Sequence, residues 1–143
     1  MLFGEYQHNI DVKGRINFPA KFRNELGESF IVAAGVDQKC LFVYALSEWN
    51  ALHQNLISQN QGEIKKRLQM QRFLYSSATD AQPDKQGRVI IPAKLRDYAQ
   101  LEKEVVVIGA GNHAEIWSRS LWDEIQSNYT EDDRLSTLDG LSF

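Results

Sequence analysis

Apolar residues in this chain fall into short clusters separated by turn residues, and the clusters appear twice in the same order. Phe30-Ile-Val-Ala-Ala34 and Glu104-Val-Val-Val-Ile108 are β-branched and apolar, which predicts buried strands. Leu41-Phe-Val-Tyr44 and Glu115-Ile-Trp117 follow them as partner strands. Helical spacing then takes over, with Trp49, Leu52 and Leu56 on one stripe and Trp122 and Ile125 on another. Ser47 and Ser120 are placed to cap these helices, with Asp123 and Glu124 in the first turn of the second.

Upstream of each cluster lies a more specific pattern. Asp11-Val-Lys-Gly14 and Asp84-Lys-Gln-Gly87 carry Asp at the first and Gly at the fourth position of a four-residue turn, a type I preference. Short β-rich runs follow, Arg15-Ile-Asn-Phe18 and Arg88-Val-Ile-Ile91. Pro19 and Pro92 end the pairing and suit the first position of a helix, where a missing N–H costs nothing. The helices that follow have about two turns, and Gly27 is placed to end the first.

The resemblance between the halves is a duplication. Shifting the chain so that Asp11 meets Asp84 gives seven identities over residues 11–26 against 84–99, where composition alone gives roughly one. The same shift pairs Val32 with Val105, Tyr44 with Trp117, Ser47 with Ser120 and Trp49 with Trp122. Each half reads as strand, turn, strand, short helix, two strands, helix, which makes an α+β chain. The predicted organisation is a first repeat over 1–62, a helical spacer over 63–77 without a counterpart, a second repeat over 78–130 and an acidic tail over 131–143. Both repeats share one globular domain, Gln59-Asn-Gln-Gly62 reads as a helix break, and the tail is expected to stay loose.

Composition narrows the function. At 143 residues, 43% hydrophobic and 24% charged, the chain has the make-up of a soluble globular protein. No apolar run approaches the ~20 residues that span a bilayer, and the first residues lack a signal-peptide pattern. The single cysteine, Cys40, sits among Leu41, Phe42 and Val43 and reads as a buried, idle thiol in a reducing compartment. The expected location is the cytoplasm, associated with the nucleoid, and not a membrane.

The net charge of −3 argues against coating nucleic acid with the whole surface, but the charge is uneven. Residues 11–23 carry Lys13, Arg15, Lys21 and Arg23 against Asp11, and residues 84–96 carry Lys85, Arg88, Lys94 and Arg96 against Asp84, each a balance of +3. From 123 onward the balance is −5. The basic charge belongs to the repeats. A repeated Asp-x-x-Gly-Arg turn sets an arginine beside a tight loop, and the guanidinium fork reads phosphate and guanine edges. Arg15 and Arg88, with Asp11, Lys13, Asp84 and Lys85 beside them, are therefore the DNA-binding candidates, the two loops being able to straddle adjacent grooves. The bland alternative is that each arginine only pairs with its aspartate to brace the turn. Lys21, Arg23, Lys94 and Arg96 are weaker candidates, since an arginine late in a short helix equally neutralises its C-terminus. Lys65, Lys66, Arg67 and Arg72 in the spacer read mainly as a solvated face.

Catalysis finds no template. Two repeated aspartates suggest an acid–base dyad, but each is followed by cations that hold it ionised. His8, His53 and His113 are far apart and have no metal-ligand spacing with Cys40. Gly109-Ala-Gly111 follows a β-run without a helix-opening glycine, and the next residues, Asn112-His113, look like a hairpin turn, so the segment reads as a loop and not a dinucleotide site. No catalytic residue, metal, cofactor or small-molecule substrate is expected.

The duplicated Asp-x-x-Gly-Arg-(three residues)-Pro-Ala-Lys-φ-Arg, together with Gly4-Glu-Tyr6 and the segment DKQGRVIIPAKLRDYA over 84–99, resembles the MraZ family of bacterial transcription regulators over essentially the whole chain. One copy alone resembles the wider AbrB/SpoVT class. The resemblance implies a pseudo-two-fold β-barrel of two intertwined ββαββα repeats with peripheral helices. It implies a homo-oligomeric ring on short direct repeats in double-stranded promoter DNA upstream of the division and cell-wall gene cluster, usually repressing that cluster and the regulator's own gene. It places Asp11, Arg15, Asp84 and Arg88 toward DNA. Asn17 and Phe18 depart from a Ser-Ile-like pair, and Gln86 stands where the first copy has Lys13, so the first loop is expected to matter more. The reading from a different class is an AbrB-like interaction module or antitoxin that holds a partner through its tail.

Overall fold

A computed structural model of the chain describes residues 1–58 and 63–142. The expected break at Gln59–Gly62 lies outside the described residues. Each repeat unfolds along the chain as anticipated. The first contains β1 (Glu5–Asn9), β2 (Arg15–Asn17), α1 (Ala20–Leu26), β3 (Phe30–Ala34), β4 (Leu41–Ala45) and α2 (Leu46–Ser58). After α3 (Ile64–Ser77), the second contains β5 (Thr79–Ala81), β6 (Arg88–Ile90), α4 (Ala93–Tyr98), β7 (Glu104–Gly109), β8 (Ala114–Ser118) and α5 (Arg119–Asn128). A final helix, α6, spans Glu131–Leu138.

The strands of the two halves are exchanged. An antiparallel sheet runs in the order β1-β7-β8-β4-β3-β5, so the first strand of each repeat pairs with the third strand of the other. β4 and β8 join the halves in the middle, with Leu41 opposite Ile116 and Val43 opposite Ala114. The strands form an open six-stranded sheet with β1 and β5 at its edges, not closed into a barrel, and β2 and β6 pair as a separate two-stranded ribbon. Glycine-ended turns at Asp11–Gly14 and Asp84–Gly87 reverse the chain after β1 and β5, and an antiparallel Ile10–Ile16 bridge holds β2 against the end of β1.

Two layers of side chains result. On one face Val32, Leu41, Val43, Val105, Val107 and Ile116 meet the ribbon's Ile16 and Val89 and the short helices' Phe22 and Leu95. Phe22 is fully buried, with Tyr6 edge-on at 5.2 Å, and burial of such a side chain contributes roughly 1.5–3 kcal/mol. The other face holds Cys40, Phe42, Tyr44 and Trp117 under Trp49 and Leu52 of α2 and Trp122 and Ile125 of α5. Burial pushes the Cys40 thiol up, assisted by the nearby charges of Glu115 and Asp37.

Some boundaries move. The prolines precede α1 and α4 as cap residues, with the first helical bonds running from Arg23 N–H to Pro19 and from Arg96 N–H to Pro92. Gly27 ends α1 as anticipated. The cap of α5 is Ser118, whose hydroxyl accepts from Leu121 N–H at 3.1 Å, so Ser120 lies inside the helix, as Ser47 lies inside α2. β8 runs directly into α5, and the last strand residue takes the capping role. The tail expected to be loose forms α6 through a capping box: Thr130 accepts from Asp133 N–H and donates its own N–H to the Asp133 carboxylate. The β7–β8 turn runs over Ala110–His113, closed by the Ala110 N–H donating to the His113 carbonyl at 2.8 Å, and Leu2 and Gly111 exchange backbone bonds of 2.9 and 2.8 Å beside it.

The two predicted turns are present and alike. Gly14 and Gly87 donate back to Asp11 and Asp84 at 3.0 and 2.9 Å, and both glycines sit at φ +79°, a conformation that costs other residues. Asp11 Oδ1 accepts from the N–H groups of Lys13 and Arg15 at 2.9 Å, and Asp84 Oδ1 from those of Gln86 and Arg88 at 2.9 Å. The bond from the arginine's backbone N–H is the largest influence holding each carboxyl below its ordinary value of 3.8. A depressed carboxylate pKa stabilises the fold fully above the ordinary value, and the contribution fades as pH falls through the folded value. Asp84→Asn is accordingly less stable than the native chain at neutral pH, with the gap in urea denaturation closing below pH 3.8; a gap that persists unchanged in strong acid contradicts this account.

Candidate nucleic-acid interface

The ribbon brings the strongest sequence candidates together. β2 and β6 pair antiparallel with Arg15 opposite Ile90, Ile16 opposite Val89 and Asn17 opposite Arg88. Ile16 and Val89 are completely buried, so strand alternation turns residues 15, 17, 88 and 90 to the opposite, outer face. Further bonds extend the ribbon, from Phe18 N–H to Gly87 and from Ile91 N–H to Gly14, tying each strand to the other repeat's turn.

Arg15 and Arg88 stand diagonally on that face, a relation that separates Cα atoms by about 7–8 Å. A major groove is roughly 12 Å wide. Within one chain the two arginines therefore form a single patch. The turns project from opposite ends of the ribbon and carry Lys13 and Lys85 at exposed tips.

The bracing role weighed from sequence is real and coexists with an open face. Arg15 Nε donates to Asp11 Oδ2 at 2.7 Å, and Arg88 Nε to Asp84 Oδ2 at 2.9 Å. Each bond uses the inner edge of the guanidinium. The terminal nitrogens make no hydrogen bond or ion pair among the described residues and remain available for a bidentate partner. Clamping the side chain beforehand reduces the entropy lost when it meets a ligand.

Arg23 and Arg96 have a different position from the one their spacing suggested. Both lie in the last turn of their helices, yet each guanidinium reaches the other repeat's turn. A Cβ placed on Gly87 lies 2.7 Å from Arg23 Cζ, and one placed on Gly14 lies 2.8 Å from Arg96 Nη1. Arg23 Nε also donates to the Phe18 carbonyl at 3.0 Å. The glycines thus serve both the backbone conformation and the seating of an arginine from across the molecule. Arg96 Nε is buried without a hydrogen-bond partner among the described residues. Lys21 is engaged elsewhere, its ammonium 3.3 Å from the centre of the Phe3 ring. Lys94 is exposed on α4, and Lys65 and Lys66 are exposed on α3.

Sequence reasoning missed Asn17 and Ile90. Period-two alternation from Arg15 and Arg88 places them on the same face, but the register that sets them beside the opposite arginine comes only from the ribbon. Two of the histidines have partners of their own: His53 Nδ1 lies 2.6 Å from the Tyr75 hydroxyl, and His113 Nε2 lies 2.8 Å from Glu115.

Comparison with known proteins agrees with this architecture. A family model described as "MraZ protein, putative antitoxin-like" matches residues 1–72 and 74–138. The "Transcriptional regulator MraZ" of Halothermothrix orenii is 47% identical over 135 residues, covering 92% of this chain and 93% of that protein. The protein of the same name from Alkaliphilus oremlandii is 46% identical over 136 residues, 95% of this chain and 91% of the relative. That from Desulfitobacterium hafniense is 45% identical over 141 residues, 99% and 96%. With turns, exchanged strands and paired arginines set on two matched repeats, this chain belongs to the MraZ family.

Proposed function

We propose that the chain is a sequence-specific, DNA-binding transcriptional regulator whose contact surface is the outer face of the β2–β6 ribbon with its two turns. The observation that carries this reading is the pair of arginines on that face, each held by an aspartate with its terminal nitrogens open. A two-stranded ribbon fits a major groove. Arg15 and Arg88 are assigned to base edges or phosphates, Lys13 and Lys85 to phosphates at either end, and Asp11 and Asp84 to orienting the arginines. Arg23 and Arg96 act from behind by seating the opposite turns, while Lys21 and Lys94 are peripheral. The names of the relatives point the same way.

One chain offers a small patch, so assembly is part of the reading: a homo-oligomeric ring repeats the patch along short direct repeats. The target is DNA upstream of the division and cell-wall gene cluster, including the regulator's own gene, with repression as the outcome. The setting is the cytoplasm and nucleoid; among the described residues no helix is long and apolar enough to cross a membrane. The alternative of a partner-holding antitoxin draws on the family description and on α6, whose first turn carries Glu131, Asp132 and Asp133. A gel shift on the DNA upstream of its own gene separates the two.

Native protein should bind that DNA with log affinity falling against log salt by about 0.9 per phosphate neutralised. Arg15→Ala should weaken binding by about tenfold or more, and by more than Arg88→Ala; unchanged affinity at moderate salt removes the ribbon assignment. Arg23→Met should weaken binding while leaving the salt slope intact, since its charge supports a turn and does not meet phosphate. A slope reduced by about 1 places Arg23 on DNA instead. Light scattering should give a multiple of 16.4 kDa, and a monomer excludes the ring.

A further inference from the structure

The ribbon's outer face carries its duplication unevenly. Arg15 and Arg88 are equivalent under the repeat and identical, and the inward residues Ile16 and Val89 are both apolar and buried. Asn17 and Ile90 are equivalent as well, yet one is an amide and the other a branched hydrocarbon. Ile90 is 63% exposed in the middle of this polar patch, directly opposite Arg15. Asn17 is exposed opposite Arg88, and its amide has no hydrogen-bond partner among the described residues. The fold uses neither side chain, since the core is complete without them.

We propose that Asn17 and Ile90 are the specificity-determining residues of the ribbon, Ile90 packing on a thymine methyl group and Asn17 bonding the N6–N7 edge of an adenine. The proposal rests on the reading that the ribbon faces DNA. Its chemistry follows from what a major groove displays: the thymine methyl is the apolar feature among otherwise polar base edges, and a carboxamide matches the adjacent donor and acceptor of adenine. The arginines supply the same contact at both ends of the patch. The residue between them differs, so one protomer presents a directional face and distinguishes the two orientations of a site.

The test uses a duplex from the DNA immediately upstream of the chain's own reading frame, made with thymine or with uracil, which lacks only the methyl group. Native protein should bind the uracil duplex more weakly by about fourfold per contacted methyl, and Ile90→Ala should bind both equally. In a second pair, adenine is replaced by 7-deazaadenine, which lacks the N7 acceptor. Native protein should lose about tenfold, whereas Asn17→Ala should not discriminate. Native protein indifferent to these changes, or variants that keep the native ratios, overturns the proposal. Arg15→Ala separates the two levels: if it weakens every duplex, the DNA-facing reading stands and the base-analogue ratios alone decide; if it changes nothing, both fall. Both substituted residues are exposed, and light scattering of the variants should match the native chain, because a changed assembly with unchanged ratios assigns Ile90 to a contact between protomers.

Discussion

The structure depends on the exchange of strands between its two halves. A strand has backbone donors and acceptors on both edges, and leaving them unpaired away from water costs about as much as a lost hydrogen bond. In this chain the first strand of each repeat finds its partner in the other repeat, β1 on β7 and β5 on β3, and the second strands find each other. Ile16 and Val89 meet at the centre of that second pairing, and both are wholly buried. Neither repeat completes its ladder or its core without the other, which is why two halves with matching patterns share one sheet and one core.

The exchange also explains how the ribbon can be both scaffold and surface. Its inner face closes the hydrophobic layer with Phe22, Leu95 and the sheet, so the ribbon's position is rigid. Its outer face is then free to carry polar and charged groups at little cost to stability. Each turn concentrates several tasks in one aspartate, whose carbonyl closes the loop while its carboxylate accepts two backbone N–H groups and clamps the arginine. The glycine at the end of the turn leaves room for the other repeat's Arg23 or Arg96. Turn, clamp and buttress therefore come from both halves at once, and a change to either repeat is felt at both ends of the ribbon.

Much of this was legible in the chain itself. Asp and Gly at the first and fourth positions specify the turns because their preferences are local and steric. The β-branched runs and the tryptophan-bearing helices follow from periodicity, and duplication placed them twice. The cap of α6 was also written locally, as Thr130 followed three residues later by Asp133, although the acidic composition concealed it. The caps of α2 and α5 were misplaced because strand and helix abut, leaving no polar linker to mark the boundary.

What the sequence determined by itself, then, is the local order: which segments are strands, which turns join them and which cations are repeated. Strand partnership was decided only in three dimensions, because hydrogen bonding between strands is blind to which half supplies the partner. Register was decided there too. It set Arg15 against Ile90 and Asn17 against Arg88, gathered two arginines into one patch and turned Arg23 and Arg96 toward the opposite turns. Those are relations between residues more than 60 positions apart, and no local preference encodes them.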